Sequence, residues 1–125
     1  MNIRSTILFF SIFIYGLLGA QTSPSFTGSW KVAWQGEKRL EEATLVILDD
    51  GGGTWKTSTS SRMNNCVGMA VPIAVKKIAD DEATVKLKFS EVLTGCIDST
   101  LKLKLIDDKT MTGTRGKFDL TISRN

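Results

Sequence analysis

The sequence predicts an all-β fold, an eight-stranded antiparallel up-and-down barrel that follows an N-terminal signal peptide. The first observation is an alternation of apolar and polar residues, because successive side chains of a strand leave opposite faces of the pleat. The second is that short runs rich in Gly and Asp separate these segments, as tight turns require. The third is that no window of about a dozen residues has the apolar spacing of an amphipathic helix. Many short strands with short connections favour a meander that closes on itself.

Residues 1–20 differ from the rest of the chain. They carry one charge, Arg4, then an apolar run over residues 7–18 and a small-residue end at Gly19-Ala20. This is the pattern of a secretory signal peptide, and the apolar run is shorter than a membrane span needs. We therefore expect one barrel domain of residues 21–125, secreted or periplasmic and without a transmembrane segment once the signal is removed.

Eight segments of the expected domain alternate with period two. In chain order, the side chains expected to face the interior are Trp30/Val32/Trp34, Ala43/Leu45/Ile47, Trp55/Thr57, Ile73/Val75, Val85/Leu87/Phe89, Leu101/Leu103/Leu105, Met111/Gly113/Arg115 and Phe118/Leu120/Ile122. Turn residues separate most of them, at 36–38, 49–53, 80–81, 107–109 and Gly116. Two connections are longer, roughly residues 58–71 and 92–99.

The two ends of such a barrel differ in chemistry. Alternate connections of a meander lie at the same end, so the three turns with paired Asp residues share one end with both chain termini. The two long connections share the other end, and each contains one of the two cysteines, Cys66 and Cys96. In an oxidising compartment this pair predicts a disulfide, worth about 3–4 kcal/mol in the chain-entropy model. A redox-active pair is the alternative, but the two Cys do not form a Cys-x-x-Cys motif.

The chain contains no His, and its 16 Lys+Arg and 13 Asp+Glu give a formal net charge of +3. The absence of His excludes Ser-His nucleophile pairs and His-ligated zinc. Most carboxylates stand on turns, so we predict no catalytic residues and a protein that is not an enzyme. Turn carboxylates could hold Ca²⁺, but Asp is a common turn residue and no stretch follows the EF-hand pattern. We therefore predict no metal and no cofactor.

Two further patterns receive a plain structural interpretation. Lys86, Lys88, Lys102 and Lys104 alternate outward on strands five and six, where they could meet a polyanion or form a solvated face. No aromatic residues interleave with them, so nucleic acid is not predicted as a partner. The run 51–57 has the glycines of a phosphate loop, but Trp precedes its Lys and a strand follows, which indicates a hairpin turn.

The opening Phe26-Thr27-Gly28-Ser29-Trp30 resembles the Gly-x-Trp start of calycin barrels, the lipocalin and avidin group. The resemblance implies that Gly28 and Trp30 belong to the closed end and that Arg124 of the last strand packs across the indole. The run Gly53-Thr54-Trp55-Lys56 is similar to the third strand of periplasmic barrels that inhibit bacterial secreted metalloproteases. This second resemblance implies that an N-terminal segment, here Gln21–Phe26, enters the cleft of a secreted hydrolase.

The end that carries the cysteines collects the candidate ligand-binding residues. They are the inward-facing Trp34, Trp55, Thr57, Phe89, Arg115 and Phe118. Aromatic walls and one fixed cation suit a small apolar or amphipathic ligand that bears an anionic group. The alternative is an interior filled by its own side chains, with Arg115 extending over Phe118 to water. Ligand binding is our first hypothesis, inhibition of a secreted hydrolase the second and a surface-interaction module the third.

Overall fold

Eight strands close into one barrel. The computed structural model describes residues 25–58 and 66–125, so the predicted signal peptide and most of the segment 21–26 lie outside it. The strands are β1 Gly28–Gln35, β2 Leu40–Ile47, β3 Gly53–Thr57, β4 Val71–Ala79, β5 Glu82–Leu87, β6 Ser99–Leu105, β7 Thr110–Arg115 and β8 Phe118–Arg124. Each strand pairs antiparallel with its neighbour in the chain, and β8 returns to pair with β1. The predicted fold class is confirmed.

The period-two pattern sets which side chains form the core. In β1, Trp30, Val32 and Trp34 are buried, whereas the intervening Lys31 is exposed. The same alternation runs through β6, where three leucines are buried between outward lysines. One cluster results, with Trp30 and Trp55 among its fully buried members. Burying each large apolar side chain contributes about 1.5–3 kcal/mol, so this shared interior is the main stabilising element of the barrel.

Glycine is needed where β2 and β3 approach each other most closely. Gly53, the first residue of β3, has φ of +141°, and a Cβ atom there would lie 1.8 Å from the carbonyl oxygen of Val46. Only glycine fits this conformation at this distance. The triple-glycine run therefore serves a hairpin, as its sequence indicates.

The sequence-based prediction is wrong at the end of strand five. β5 ends at Leu87, and Phe89 begins a 3₁₀ turn, Phe89–Glu91. The backbone N–H of Ser90 donates to Oδ1 of Asp98 at 2.9 Å, which holds the turn against the start of β6. Because Phe89 stays buried in this conformation, apolar periodicity alone could not separate a longer strand from a turn.

The start of β4 also lies earlier than predicted. Val71 and Pro72 pair with Trp55 and Thr54, so the connection from β3 ends at residue 70. Proline cannot donate in the ladder, but it stands next to the first residue of the strand, and its carbonyl oxygen still accepts a hydrogen bond from the N–H of Lys88 at 3.0 Å.

The two ends of the barrel differ as the meander predicts. The end called here the mouth carries the β1–β2, β3–β4, β5–β6 and β7–β8 connections, and the closed end carries the other three with residue 125. Cys66 and Cys96 form a disulfide at the mouth. This predicted pairing is confirmed.

The paired Asp residues at the closed end support their own turns. Oδ1 of Asp50 accepts the N–H of Gly52 at 2.8 Å, and Oδ1 of Asp107 accepts the N–H groups of Lys109 and Thr110 at 2.8 Å. These bonds, the one from Lys109 foremost, lower the pKa of the Asp107 carboxyl below its ordinary value.

Within residues 25–58 and 66–125, no three His, Cys, Asp or Glu side chains are grouped to hold a metal ion. No helix in that same part of the chain is long and apolar enough to cross a membrane.

Candidate functional site

The closed end is sealed by Trp30 and Arg124, which face each other across the β1–β8 seam. The guanidinium carbon of Arg124 lies 4.0 Å from the centroid of the Trp30 ring, and the indole Nε1 donates to the carbonyl of Phe26 at 2.8 Å. Arg124 also donates three hydrogen bonds to backbone carbonyls, those of Asp108, Thr27 and Ser25. Gly28 has φ of +134°, a conformation that residues with a side chain rarely adopt, and a Cβ atom there would also meet Nη1 of Arg124.

The closed end also holds part of the N-terminal segment that, by resemblance to the protease inhibitors, would enter a protease cleft. Phe26 is buried in the core, and the carbonyl of Ser25 is held by Arg124. Residues 21–24 lie outside the described residues. Any free inhibitory segment is therefore shorter than the predicted Gln21–Phe26.

The mouth contains a cavity of about 1290 Å³. Five of the six predicted ligand-binding residues line it, namely Trp34, Thr57, Phe89, Arg115 and Phe118. The sixth, Trp55, has no exposed surface and lies beneath them in the core. Below this level the interior is filled by side chains, so the cavity is a cup at the mouth and not a channel through the barrel.

Arg115 is the cation of this cup. It starts on β7 and reaches the aromatic rings of β3 and of the 3₁₀ turn, its guanidinium carbon 5.6 Å from the ring centroids of both Trp55 and Phe89. Its Nε donates to Oγ of Ser99 at 3.0 Å, which fixes the plane of the guanidinium. Burial lowers the pKa of Arg115, but a guanidinium stays charged at neutral pH.

No carboxylate balances this charge. Among residues 25–58 and 66–125, no carboxylate oxygen is paired with Arg115 within 4.0 Å, and the remaining segments of the chain contain no Asp or Glu. A half-buried cation without a counterion is costly unless another group compensates it, and the aromatic rings do so in part. The Nη1 and Nη2 atoms of Arg115 donate to no residue of the described chain.

The aromatic residues of the cup pack into one group. The Trp34 and Trp55 rings stack with centroids 5.8 Å apart and an angle of 29° between their planes. Nε1 of Trp55 donates to Oγ1 of Thr57 at 3.2 Å, so the predicted residue Thr57 also positions an indole. Thr57 is only 6% exposed, and its hydroxyl hydrogen has no acceptor in the described part of the chain.

Exposed side chains form the rim of the cup, and the sequence analysis did not single them out. Ile97, beside the disulfide, is 85% exposed and places an apolar side chain at the rim. On the opposite side, Nζ of Lys117 lies 2.7 Å from Oε1 of Glu37 and joins the β7–β8 and β1–β2 hairpins. This ion pair lowers the pKa of Glu37, the hydrogen bond from Lys117 being the larger cause.

Ser99 is the other residue that was missed. It is the only polar member of the inward row of β6, which continues with Leu101, Leu103 and Leu105. An inward polar residue at the same end as Arg115 was a signal present in the sequence.

The outward lysines of β5 and β6, which could meet a polyanion or form a solvated face, are partly paired with carboxylates. Nζ of Lys86 lies 3.8 Å from Oδ2 of Asp98.

Comparison of the chain with protein-family models, with curated proteins and with solved structures finds no match. The resemblances to calycin barrels and to metalloprotease inhibitors therefore rest on the quoted residues alone.

Proposed function

We propose that this protein is a secreted or periplasmic, non-enzymatic barrel that binds a small apolar or amphipathic molecule in the cup at its mouth. The observation that carries the proposal is Arg115, a half-buried cation between two aromatic rings that lines an open cavity and has no carboxylate partner. Small-molecule sites combine apolar walls with a few fixed polar groups, and here aromatic rings lie beside a fixed guanidinium.

The difference between the two ends supports the same proposal. Arg124 at the closed end donates all its hydrogen bonds to the chain itself, whereas Arg115 at the mouth keeps both Nη atoms without a partner among the described residues. The first arrangement completes the fold, and the second leaves binding capacity beside an open space. A calycin-like assignment for Gly28, Trp30 and Arg124 is part of this proposal.

The disulfide and the N-terminal sequence support the proposed compartment. Disulfides persist in oxidising spaces, and Cys66–Cys96 joins the two long connections of the mouth. A disulfide in this position fixes the shape of the rim, which favours a preformed ligand site.

A titration with the apolar anionic dye 1-anilinonaphthalene-8-sulfonate tests the proposal. We expect saturable fluorescence enhancement with the folded protein, verified by near-ultraviolet circular dichroism. Ile97→Asp places a carboxylate on the rim and should weaken dye binding at least about threefold. Ile106→Asp is the matched control, because Ile106 is 59% exposed but lies at the closed end.

Two results would overturn the proposal. One is the absence of saturable binding by the folded protein. The other is an equal loss of binding in both variants, which would mean that the dye does not occupy the mouth.

A further inference from the structure

The polar groups around Arg115 and Thr57 offer a ligand mainly hydrogen-bond donors. The guanidinium has no acceptor atoms at all. Oγ1 of Thr57 already accepts from the indole of Trp55, and Oγ of Ser99 already accepts from Nε of Arg115. What stays available is Nη1 and Nη2 of Arg115 and the hydroxyl hydrogen of the buried Thr57.

We propose that the ligand is a monoanion whose charged group offers only acceptor oxygens, a carboxylate, bound inward on Arg115 and Thr57 with its apolar body toward the rim. This inference rests on the proposed ligand-binding function and narrows it to one class of molecule. A carboxylate is planar and matches the two Nη atoms in a bidentate arrangement.

The charges that line the cup favour a ligand with a single negative charge. At the rim, Lys117 is paired with Glu37 and Arg39 with Glu41. Arg115 is the half-buried cation near the aromatic rings and has no carboxylate partner among the described residues. A carboxylate neutralises the guanidinium, while an ammonium group would add a second positive charge in a poorly solvated place. A neutral amide would leave the charge of the guanidinium uncompensated and would bring an N–H donor beside a group that has donors only.

The direction of binding follows from where polar and apolar groups lie. The free donors are in the cup, whereas the half-buried Phe118 and the exposed Ile97 supply apolar surface nearer the rim. A ligand in the reverse orientation would leave the guanidinium without a counterion and place its charge beside Ile97.

The experiment uses isothermal titration calorimetry with the full folded protein and compares four ligands that share a naphthalene ring system and differ in the polar group. They are naphthalene-2-carboxylate, naphthalene-2-sulfonate, naphthalene-2-carboxamide and naphthalen-2-ylmethylammonium. We expect the carboxylate to bind at least about tenfold more tightly than the carboxamide and the ammonium compound to bind most weakly. A sulfonate that binds as tightly as the carboxylate would overturn the assignment to carboxylates and leave only a preference for anions.

Substitutions at two positions assign the preference to its residues. Arg115→Met should remove the difference between carboxylate and carboxamide, whereas Lys104→Met, which removes an exposed cation from the outside of the barrel, should leave it unchanged. Thr57→Val should weaken carboxylate binding about threefold, and Thr57→Ser, which keeps the hydroxyl, should restore it.

The failures of the two proposals are distinguishable. If carboxamide and carboxylate bind within about twofold of each other, this inference is wrong while ligand binding stands. If Arg115→Met keeps the preference, Arg115 is not the determinant and the inference is also overturned. If none of the four compounds binds, both proposals fail. The ligand comparison needs only the unmodified protein, so it decides even if a variant does not fold.

Discussion

Replacement of Arg124 by Met tests the account of the closed end. The guanidinium donates to the carbonyl oxygens of Asp108 at 2.8 Å, Thr27 at 2.7 Å and Ser25 at 3.0 Å, and it lies 4.0 Å from the Trp30 ring. These contacts join β8, the β6–β7 turn and the segment before β1. Methionine keeps the apolar length of the side chain but cannot donate.

The size of the effect follows from these contacts. A typical hydrogen bond contributes about 0.5–1.5 kcal/mol, and two of the three are exposed, so the low half of that range applies. The cation–π contact adds about 0.5–1 kcal/mol. We therefore expect Arg124→Met to lower the free energy of unfolding by about 2–4 kcal/mol. For a domain of this size the corresponding fall in Tm is on the order of 10 °C.

Urea unfolding followed by tryptophan fluorescence measures this free energy. Arg124→Lys keeps the charge but has no planar fork, so its loss should be intermediate. Lys102→Met is the control, because Lys102 is an exposed strand residue and its loss should stay within about 0.5 kcal/mol. If Arg124→Met unfolds within about 0.5 kcal/mol of the unmodified protein, the guanidinium does not hold the closed end and the reasoning is wrong.

Three further predictions concern other parts of the fold. Replacing both Cys66 and Cys96 by Ser should lower the free energy of unfolding by about 3–4 kcal/mol in a denaturant titration, and an unchanged midpoint would contradict the chain-entropy argument. Gly53→Ala should lower the free energy of unfolding by more than about 2 kcal/mol, because its Cβ would meet the backbone of Val46. Gly116 has φ of +58° but open space around it, so Gly116→Ala should cost only about 1 kcal/mol. Equal falls in Tm for the two variants would refute this explanation. The Glu37–Lys117 pair holds the pKa of Glu37 below its ordinary value, so its stabilisation is present at neutral pH and is lost as the pH falls through that lowered pKa. A double-mutant cycle of Glu37→Gln and Lys117→Met should therefore show coupling near pH 7 and none once Glu37 is protonated, and coupling that persists in acid would count against the pair.

Strand positions could be predicted because most strands have one buried and one solvated face. In β6 each leucine alternates with an outward polar residue, and the period of two leaves no other regular structure. The disulfide could be predicted because an oxidising compartment leaves the two cysteines one possible pairing, and the meander brings the two long connections that contain them to one end. Both inferences depend on patterns that the sequence displays directly.

The details of the cup could not be predicted because they depend on side chains from distant strands. Phe89 satisfies the alternation of β5, yet the contact of Ser90 with Asp98 turns the chain before it. The sequence placed Arg115 on the inward face, but its reach to the ring of Trp55 depends on the bond to Ser99. Likewise, the role of Thr57 as an acceptor for an indole requires the conformation of Trp55. Such contacts are set by packing, not by local pattern.

The most direct measurement of ligand binding at the mouth uses the three tryptophan indoles as reporters of the two ends. In a ¹H–¹⁵N NMR titration with naphthalene-2-carboxylate, we predict large shifts for the indole N–H of Trp34 and Trp55 and for Nε–H of Arg115. The indole of Trp30, which donates to Phe26 at the closed end, should not move. Shifts confined to Trp30, or no saturable shift at the mouth, would contradict the account.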